Sequence, residues 1–218
     1  MDTPMLDYLV RSPKQNRANP PLVLMLHGFG GNEQDLFAFA ERFPDKYLVV
    51  SLRAPLSLGP GSYAWFHVDF SSGSPVINPG QADKSRQLVI RFLADLKQEV
   101  NYDGKDVNLI GFSQGGIMAY SVSLTEPEKI NSVTVVNGLL LPHVKPLIAS
   151  RERLKSLKVF IAHGKNDMVI RHQFAVDARE YLESLGLKPG FRSYDEGHYI
   201  SERMLEDIIN TYGPGRGI

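Results

Sequence analysis

Short apolar runs rich in β-branched residues alternate along this chain with longer stretches in which apolar residues recur every three or four positions. The first pattern is typical of buried parallel strands and the second of amphipathic helices, so their alternation predicts βαβ units. The predicted strands are 22–26, 47–52, 107–110, 133–136 and 159–162, with weaker edge candidates at 5–10 and 191–194. We therefore predict an α/β fold with a mostly parallel central sheet, flanked by helices and without a separate lid domain.

Helical periodicity is clearest in three stretches, at 89–100, 174–185 and 204–212. Gly186 is placed to end the second helix, and the Gly-Pro-Gly segment 213–215 to end the third. We expect these helices to cover the faces of the sheet.

One segment, 53–80, breaks the alternation because it is rich in Gly, Pro, Ser and aromatic residues and has neither period. We predict a long irregular loop there. Such loops in compact folds are usually functional, so this one is a candidate wall of a binding site. No internal repeat or linker interrupts the rest of the sequence, and a single domain over 1–218 is expected.

Composition narrows the function. With 24 basic and 24 acidic residues, the formal net charge is zero, which argues against a nucleic-acid partner held by bulk electrostatics. The chain has no cysteine, so disulfides, thiolate nucleophiles and zinc-thiolate sites are excluded. No run of about 18 apolar residues is present, and no signal-peptide pattern precedes the first strand, so we expect a cytoplasmic protein without an integral membrane span.

The strongest motif joins a strand, a tight turn and a helix. Segment 111–115 reads Gly-Phe-Ser-Gln-Gly and directly follows the apolar strand 107–110. In a G-x-S-x-G turn the serine hydroxyl projects beyond the end of the sheet, and side chains at the two glycine positions would clash. A serine that merely caps a helix is the alternative. The strand before and the helix after favour Ser113 as a nucleophile.

Such a serine needs two backbone N–H groups directed at the oxyanion of a tetrahedral intermediate. One belongs to the residue after the nucleophile, here Gln114. The other is expected from the His-Gly-Phe-Gly-Gly segment 27–31, which leaves strand 22–26, and Phe29 is the predicted donor. A phosphate-binding loop is the alternative reading of these glycines, but G-x-G-x-x-G and the P-loop lysine are both absent.

The general base must be histidine, because imidazole alone takes and returns a proton near neutral pH. The order serine, acid, histidine along the chain leaves His163, His172 and His198 for consideration. His163 begins a loop at a strand end and suits a supporting role, while His172 opens a predicted helix. His198 follows strand 191–194 in a loop that can reach over the serine, and is the predicted base.

The predicted acid is Asp167, which lies past a strand end in a turn-like Lys-Asn-Asp stretch. Its carboxylate can accept the proton on the far side of the imidazole and fix the tautomer. Asp195 and Glu196 are the competing carboxylates, but they are too close in sequence to His198 to approach it from behind.

With these residues in place, the sequence resembles, nearly end to end, the carboxylesterase/phospholipase family of small α/β-hydrolases, which includes acyl-protein thioesterases and bacterial carboxylesterases. The resemblance rests on Leu-His-Gly-Phe-Gly at 26–30, Arg-Ala-Pro at 53–55 with Trp65 after it, Gly-Phe-Ser-Gln-Gly-Gly at 111–116, His-Gly at 163–164 followed by Asp167, and Gly-His at 197–198. It implies an α/β-hydrolase fold, no metal or organic cofactor, a Ser113–Asp167–His198 triad, and oxyanion amides at Phe29 and Gln114.

We therefore expect hydrolysis of a small-molecule carboxylic ester or thioester through an acyl-enzyme. The rivals are a dienelactone hydrolase-like or peptidase-like specificity, and a non-catalytic ligand receptor on the same scaffold. The chain departs from the family's common pattern at Asn32, at Met168 and at Asn137-Gly138. Trp65, Met168 and Leu139 are predicted to line the acyl side of the cleft. The sequence carries no signal for the oligomeric state.

Overall fold

The computed structural model describes residues 6–69 and 76–213. Its strands are β1 (Tyr8–Arg11), β2 (Leu22–Leu26), β3 (Leu48–Leu52), β4 (Leu56–Gly59), β5 (Ser62–Ala64), β6 (Val68–Asp69), β7 (Val76–Ile77), β8 (Val107–Phe112), β9 (Ser132–Val136), β10 (Lys158–Gly164) and β11 (Gly190–Tyr194). Its α-helices are α1 (Glu33–Phe37), α2 (Pro79–Glu99), α3 (Gln114–Thr125), α4 (Arg151–Leu154), α5 (Gln173–Ser184) and α6 (Glu202–Asn210). Predictions made for Met5, Pro214 and Gly215 lie outside the described residues.

Within the described residues, seven strands form the main sheet in the order β1-β3-β2-β8-β9-β10-β11. Strand β1 is antiparallel to β3, and every other pairing within this sheet is parallel. From β2 the chain adds β3 on one side, whereas from β8 it adds β9, β10 and β11 on the other. The direction in which strands are added therefore reverses between the neighbours β2 and β8. Ligand sites in open α/β sheets form outside the carboxyl ends of the strands at such a reversal. The mostly parallel sheet predicted from the apolar pattern is confirmed.

Alternate residues of the central strands β2, β3, β8, β9 and β10 are buried in different cores, because successive side chains point to opposite faces of a sheet. In β2, Leu24 belongs to a core with α2, α3 and α5, whereas Val23 belongs to a second core with α1 and α6. Helix α3 is buried along its whole length, which is why its sequence lacks a polar face.

The three predicted helices are confirmed, but α2 begins ten residues before the predicted stretch. Asn78 caps it by accepting a hydrogen bond from the Gln81 N–H at 3.2 Å, and Pro79 occupies its first turn. Apolar periodicity could not indicate this start, because the first turn of the helix is largely exposed. Proline is favoured at the first position of a helix but breaks a helix elsewhere, so Pro79 alone did not mark the start.

The prediction of an irregular loop over 53–80 is wrong in part. Two short hairpins, β4/β5 and β6/β7, form in the described part of this segment, and 70–75 lies outside it. Gly59 and Gly61 take positive φ angles of 145° and 71° in the first hairpin, which explains the glycines. Strands of two to four residues are too short to produce a readable alternation. None of the described helices has the combined length and apolarity needed to cross a membrane.

Candidate active site

Ser113 lies between β8 and α3 at the carboxyl edge of the sheet, with a φ of 54° and a ψ of −119°. A non-glycine residue in this region is strained, by about 1–3 kcal/mol, and persists only where the surroundings enforce it. The flanking glycines explain how. A Cβ on Gly111 would overlap the Gly115 carbonyl, and one on Gly115 would overlap the Leu26 carbonyl. The elbow therefore packs tightly against β2, and only glycine fits on either side of the serine.

A continuous hydrogen-bond chain runs from Ser113 through His198 to Asp167. The imidazole Nδ1 lies 2.6 Å from Asp167 Oδ2, and Nε2 lies 2.8 Å from Ser113 Oγ. A carboxylate only accepts, so Nδ1 carries the proton and Nε2 accepts from the serine hydroxyl. The structure thus brings together three residues that lie 85 and 31 positions apart along the chain.

Asp167 is held rigidly. Its Oδ1 accepts hydrogen bonds from the backbone N–H groups of Val169 and Ile170, both at 2.8 Å, and the residue is 3% exposed. These two bonds leave Oδ2 for His198. One carboxylate oxygen is therefore bonded to its own loop and the other to the imidazole.

The other two histidines considered as bases have different partners. His163 is fully buried, burial lowers the pKa of its imidazole, and its Nε2–H donates to the Ile170 carbonyl at 2.8 Å. It supports the Asp167 loop, as the sequence suggested. His172 Nε2 pairs with Ser193 Oγ at 2.7 Å, and burial also lowers the pKa of this imidazole. Neither is hydrogen-bonded to Ser113.

The two predicted oxyanion donors are backbone N–H groups without an acceptor in the described structure. In the described part of the chain, neither the Phe29 N–H nor the Gln114 N–H has a hydrogen-bond acceptor. Gln114 is the first residue of α3, so its N–H also lies at the positive end of the helix dipole. Free donors of this kind next to a serine can stabilise negative charge developing on a carbonyl oxygen.

His27 holds the glycine-rich loop in place. Its Nδ1–H donates to the Gly28 carbonyl at 2.7 Å, and its Nε2 accepts from the Ala54 N–H at 3.0 Å. Burial lowers the pKa of this imidazole, which keeps it neutral and able to donate and accept at once. The loop that carries Phe29 is thereby tied to the segment after β3.

Trp65 does not line an open cleft, so that prediction is corrected. Its side chain is fully buried, and its indole Nε1–H donates to the His27 carbonyl at 2.9 Å. The Gln114 side chain accepts from the Trp65 N–H and donates to the Phe66 carbonyl, both at 2.7 Å. A tryptophan in a segment rich in glycine and proline suggests a residue that lines a binding site, but Trp65 packs beneath the glycine-rich loop instead.

Met168 and Leu139 also differ from the expected wall. Met168 is 91% exposed, so its side chain does not form a wall of a cleft. Leu139 is partly buried and packs against the core beside α3. Neither residue borders the apolar groove that lies beside His198.

Asn137 supports the site and was missed as a functional residue. It has a φ of 49°, its Oδ1 accepts from the Gly164 N–H at 2.9 Å, and its Nδ2 donates to the Gly197 carbonyl at 3.2 Å. Asn137 therefore connects the loops that carry Asp167 and His198. The available signal was an asparagine before glycine at a strand end, since asparagine tolerates positive φ. Over residues 6–69 and 76–213, no group of three or more His, Asp or Glu side chains is arranged to hold a metal.

A mostly parallel sheet with a strained serine at its central strand and a histidine after its last strand is the α/β-hydrolase arrangement. Within that fold, the chain belongs to the phospholipase/carboxylesterase family, whose model matches residues 7–212. The family that the sequence motifs indicated is thus confirmed.

Named relatives agree with this assignment. Esterase YpfH of Escherichia coli K12 is 28% identical over 216 residues, covering 93% of this chain and 85% of its own length. Acyl-protein thioesterase 1 of Emericella nidulans is 26% identical over 224 residues, covering 92% and 91%. Among solved structures, esterase PE8 is 26% identical with a TM-score of 0.79, covering 94% of this chain and 97% of its own.

Proposed function

We propose that this protein is a serine hydrolase that cleaves carboxylic esters or thioesters through an acyl-enzyme intermediate. The observation that carries the proposal is the hydrogen-bond chain from Ser113 Oγ through His198 to Asp167, at 2.8 and 2.6 Å. Membership of the phospholipase/carboxylesterase family supports the same class of reaction.

In the first half-reaction, Ser113 Oγ attacks the substrate carbonyl carbon while His198 Nε2 takes the hydroxyl proton. Asp167 stabilises the imidazolium that forms and keeps its orientation. The N–H groups of Phe29 and Gln114 stabilise the oxyanion. Collapse of the tetrahedral intermediate breaks the bond to the leaving oxygen or sulfur, which takes the proton from His198.

The second half-reaction repeats these steps with water. His198 takes a proton from the water, whose oxygen attacks the acyl carbon, and the carboxylic acid leaves as Ser113 regains its proton. No cofactor is required by this sequence of proton and acyl transfers. The strained backbone at Ser113 favours the reaction by holding the hydroxyl in the position of attack.

The proposed substrates are small uncharged acyl compounds. The chain's formal charge of zero gives no bulk attraction for polyanions. Two relatives are named as an esterase and an acyl-protein thioesterase, which supports testing oxygen and sulfur leaving groups side by side. Another, from Oryza sativa subsp. japonica, is named a probable inactive carboxylesterase and is 23% identical over 210 residues. Catalysis by this chain must therefore be measured directly.

The test is a panel of p-nitrophenyl esters of graded acyl length together with an acyl thioester, assayed with the wild type and with Ser113→Ala. We expect turnover by the wild type and a loss of about 10⁴–10⁶ in kcat in the variant, with an unchanged melting temperature. A wild type that binds but never turns over these compounds would favour the non-catalytic receptor and overturn the proposal.

A further inference from the structure

A groove of about 280 Å³ opens beside His198, on the side of the sheet covered by α1 and α6. Its apolar lining consists of Phe29, Leu36, Phe39, Phe112, Tyr199 and Ile200. Pockets for small molecules span roughly 300–1,000 Å³, so this groove is at the lower limit of that range. It suits a short alkyl chain or one aromatic ring.

A second apolar cavity, of about 20 Å³, adjoins the groove and shares the side chains of Leu36, Phe39 and Ile200 with it. Met25 and Ile110 line this second cavity from the sheet.

The only carboxylate that borders the groove is Asp35, within the part of the chain that the structure describes. Its Oδ2 accepts from the Asn32 N–H at 3.2 Å, as part of the cap of α1. A negative charge at the rim of an apolar groove disfavours a second carboxylate there. The groove therefore suits an uncharged group.

His198 itself forms part of the wall, and the Phe112 ring lies 5.1 Å from its imidazole. In the proposed reaction, this imidazole gives its proton to the leaving oxygen, so that oxygen must lie close to Nε2. A group attached to the leaving oxygen is then directed along the His198 side of the serine. The groove borders this same imidazole, together with Tyr199 and Ile200, the two residues that follow His198.

We infer that this groove binds the alcohol part of the ester, and that the preferred substrates carry a short, uncharged alkyl or aryl alcohol. The inference rests on the proposed serine hydrolase activity and adds the side of the ester that the enzyme selects. The walls predicted from sequence concerned the acyl side; this groove assigns Phe39 and Ile200 to the opposite side of the scissile bond.

Two ester series test the assignment. One keeps the butyryl group and varies the alcohol from methanol through propanol to hexanol and benzyl alcohol; the other keeps ethanol and varies the acyl chain from acetyl to octanoyl. In Ile200→Trp, which fills the groove, we expect the hexyl-to-methyl ratio of kcat/KM to fall at least about 10-fold, the lower value for an added methylene in an apolar pocket. The acyl-length ratios should stay as in the wild type.

The matched control is Leu147→Trp, which places the same ring at an exposed position outside the groove lining and should leave both ratios unchanged. Ile200 and Phe39 both also pack against the core, so the melting temperature is measured for each variant. Phe39→Ala serves as the second variant because it removes a ring from the groove instead of adding one, and a lower hexyl-to-methyl ratio is expected from the lost contacts. Deacylation rates should be identical for all butyrate esters, since the alcohol has left by then.

A change confined to the acyl series would assign the groove to the acyl chain and overturn the inference. Unchanged ratios in both groove variants would show that the groove does not contact the substrate, and would overturn it equally. A wild type without turnover of any ester in either series would overturn the serine hydrolase proposal itself, which distinguishes the two failures.

Discussion

The side-chain oxygen of Gln114 accepts a hydrogen bond from the backbone N–H of Trp65 at 2.7 Å. Gln114 thus has two separate connections to the site: its backbone N–H is the proposed oxyanion donor, and its side chain fastens the loop beneath the glycine-rich segment. The Trp65 indole continues this connection to the His27 carbonyl at 2.9 Å. The glycine-rich loop that carries Phe29 and the start of α3 that carries Gln114 are therefore linked through a buried tryptophan.

This connection predicts that Gln114→Ala loses stability and activity together. Two buried partners, the Trp65 N–H and the Phe66 carbonyl, lose their bonds, which costs about 1–3 kcal/mol for each group left unpaired. The backbone N–H is retained, so kcat should fall less than in Ser113→Ala. Urea unfolding and ester kinetics measure both effects. The control Gln98→Ala, at an exposed helix position, should change neither stability nor activity. A Gln114→Ala protein as stable as the wild type would show that the bonds of Gln114 to Trp65 and Phe66 do not stabilise the site.

The histidines can be separated by substitution. His198→Ala should lower kcat at least about 10⁴-fold, because the proton of Ser113 then has no acceptor. His172→Ala should retain most of the activity, since its Nε2 pairs with Ser193 rather than with the serine. Steady-state kinetics on one ester decides the matter. Similar losses in the two variants would leave the base unassigned, and full activity of His198→Ala would disprove the assignment.

Two substitutions of Asn137 separate the effect of its strained backbone from the effect of its side-chain hydrogen bonds. Both Asn137→Gly and Asn137→Ala remove the bonds to Gly164 and Gly197, but only glycine relieves the positive φ of 49°. Both should lower kcat by loosening the loops of Asp167 and His198, and Asn137→Ala should be the less stable. Thermal unfolding and kcat measured on the same preparations test this. A glycine variant with normal kcat would mean that the bonds do not position the site.

Two buried histidines predict how stability changes with pH. Burial lowers the pKa of His27 and His163 below the ordinary value of 6.5, so the unfolded chain binds more protons than the folded one as pH falls past that value. The stabilisation is complete above 6.5 and declines towards the lower folded pKa, at up to about 1.4 kcal/mol per pH unit for each group. Urea unfolding from pH 8 to 5.5 should show this slope.

The matched variants for this slope are His163→Gln and His67→Gln. His163→Gln should reduce the pH dependence, because glutamine does not titrate, whereas His67→Gln changes an exposed side chain and should leave the slope as it is. A stability that is flat across this range in the wild type would contradict the account of the buried imidazoles.

Much of the fold could be predicted because its strands are buried on both faces and read as short apolar runs. Strand β8 extends two residues beyond its predicted end, since Gly111 and Phe112 belong to the turn motif as much as to the strand. The hairpin at Gly59 and Gly61 could not be predicted, because its strands are too short to alternate. For the site, the strand-turn-helix motif singled out Ser113, and chain order limited the histidines and acids to a few.

What the sequence could not supply were contacts between distant segments. Burial of Trp65 depends on Gln114, 49 residues away, and the role of Asn137 depends on Gly197, 60 residues away. Neither residue has a local pattern that reveals its partner. The groove beside His198 likewise forms only when α1 packs next to the loop after β11, so its lining could not be derived from periodicity.

The most direct test of the central claim is covalent labelling of the wild type with a fluorophosphonate, followed by digestion and mass spectrometry of the peptide that contains segment 111–116. The reagent reacts with a serine only when a neighbouring base activates the hydroxyl. We predict one adduct per chain, located on Ser113, formed in the wild type and absent from Ser113→Ala and His198→Ala. Failure to label Ser113, or labelling that persists unchanged without His198, would contradict the proposed mechanism.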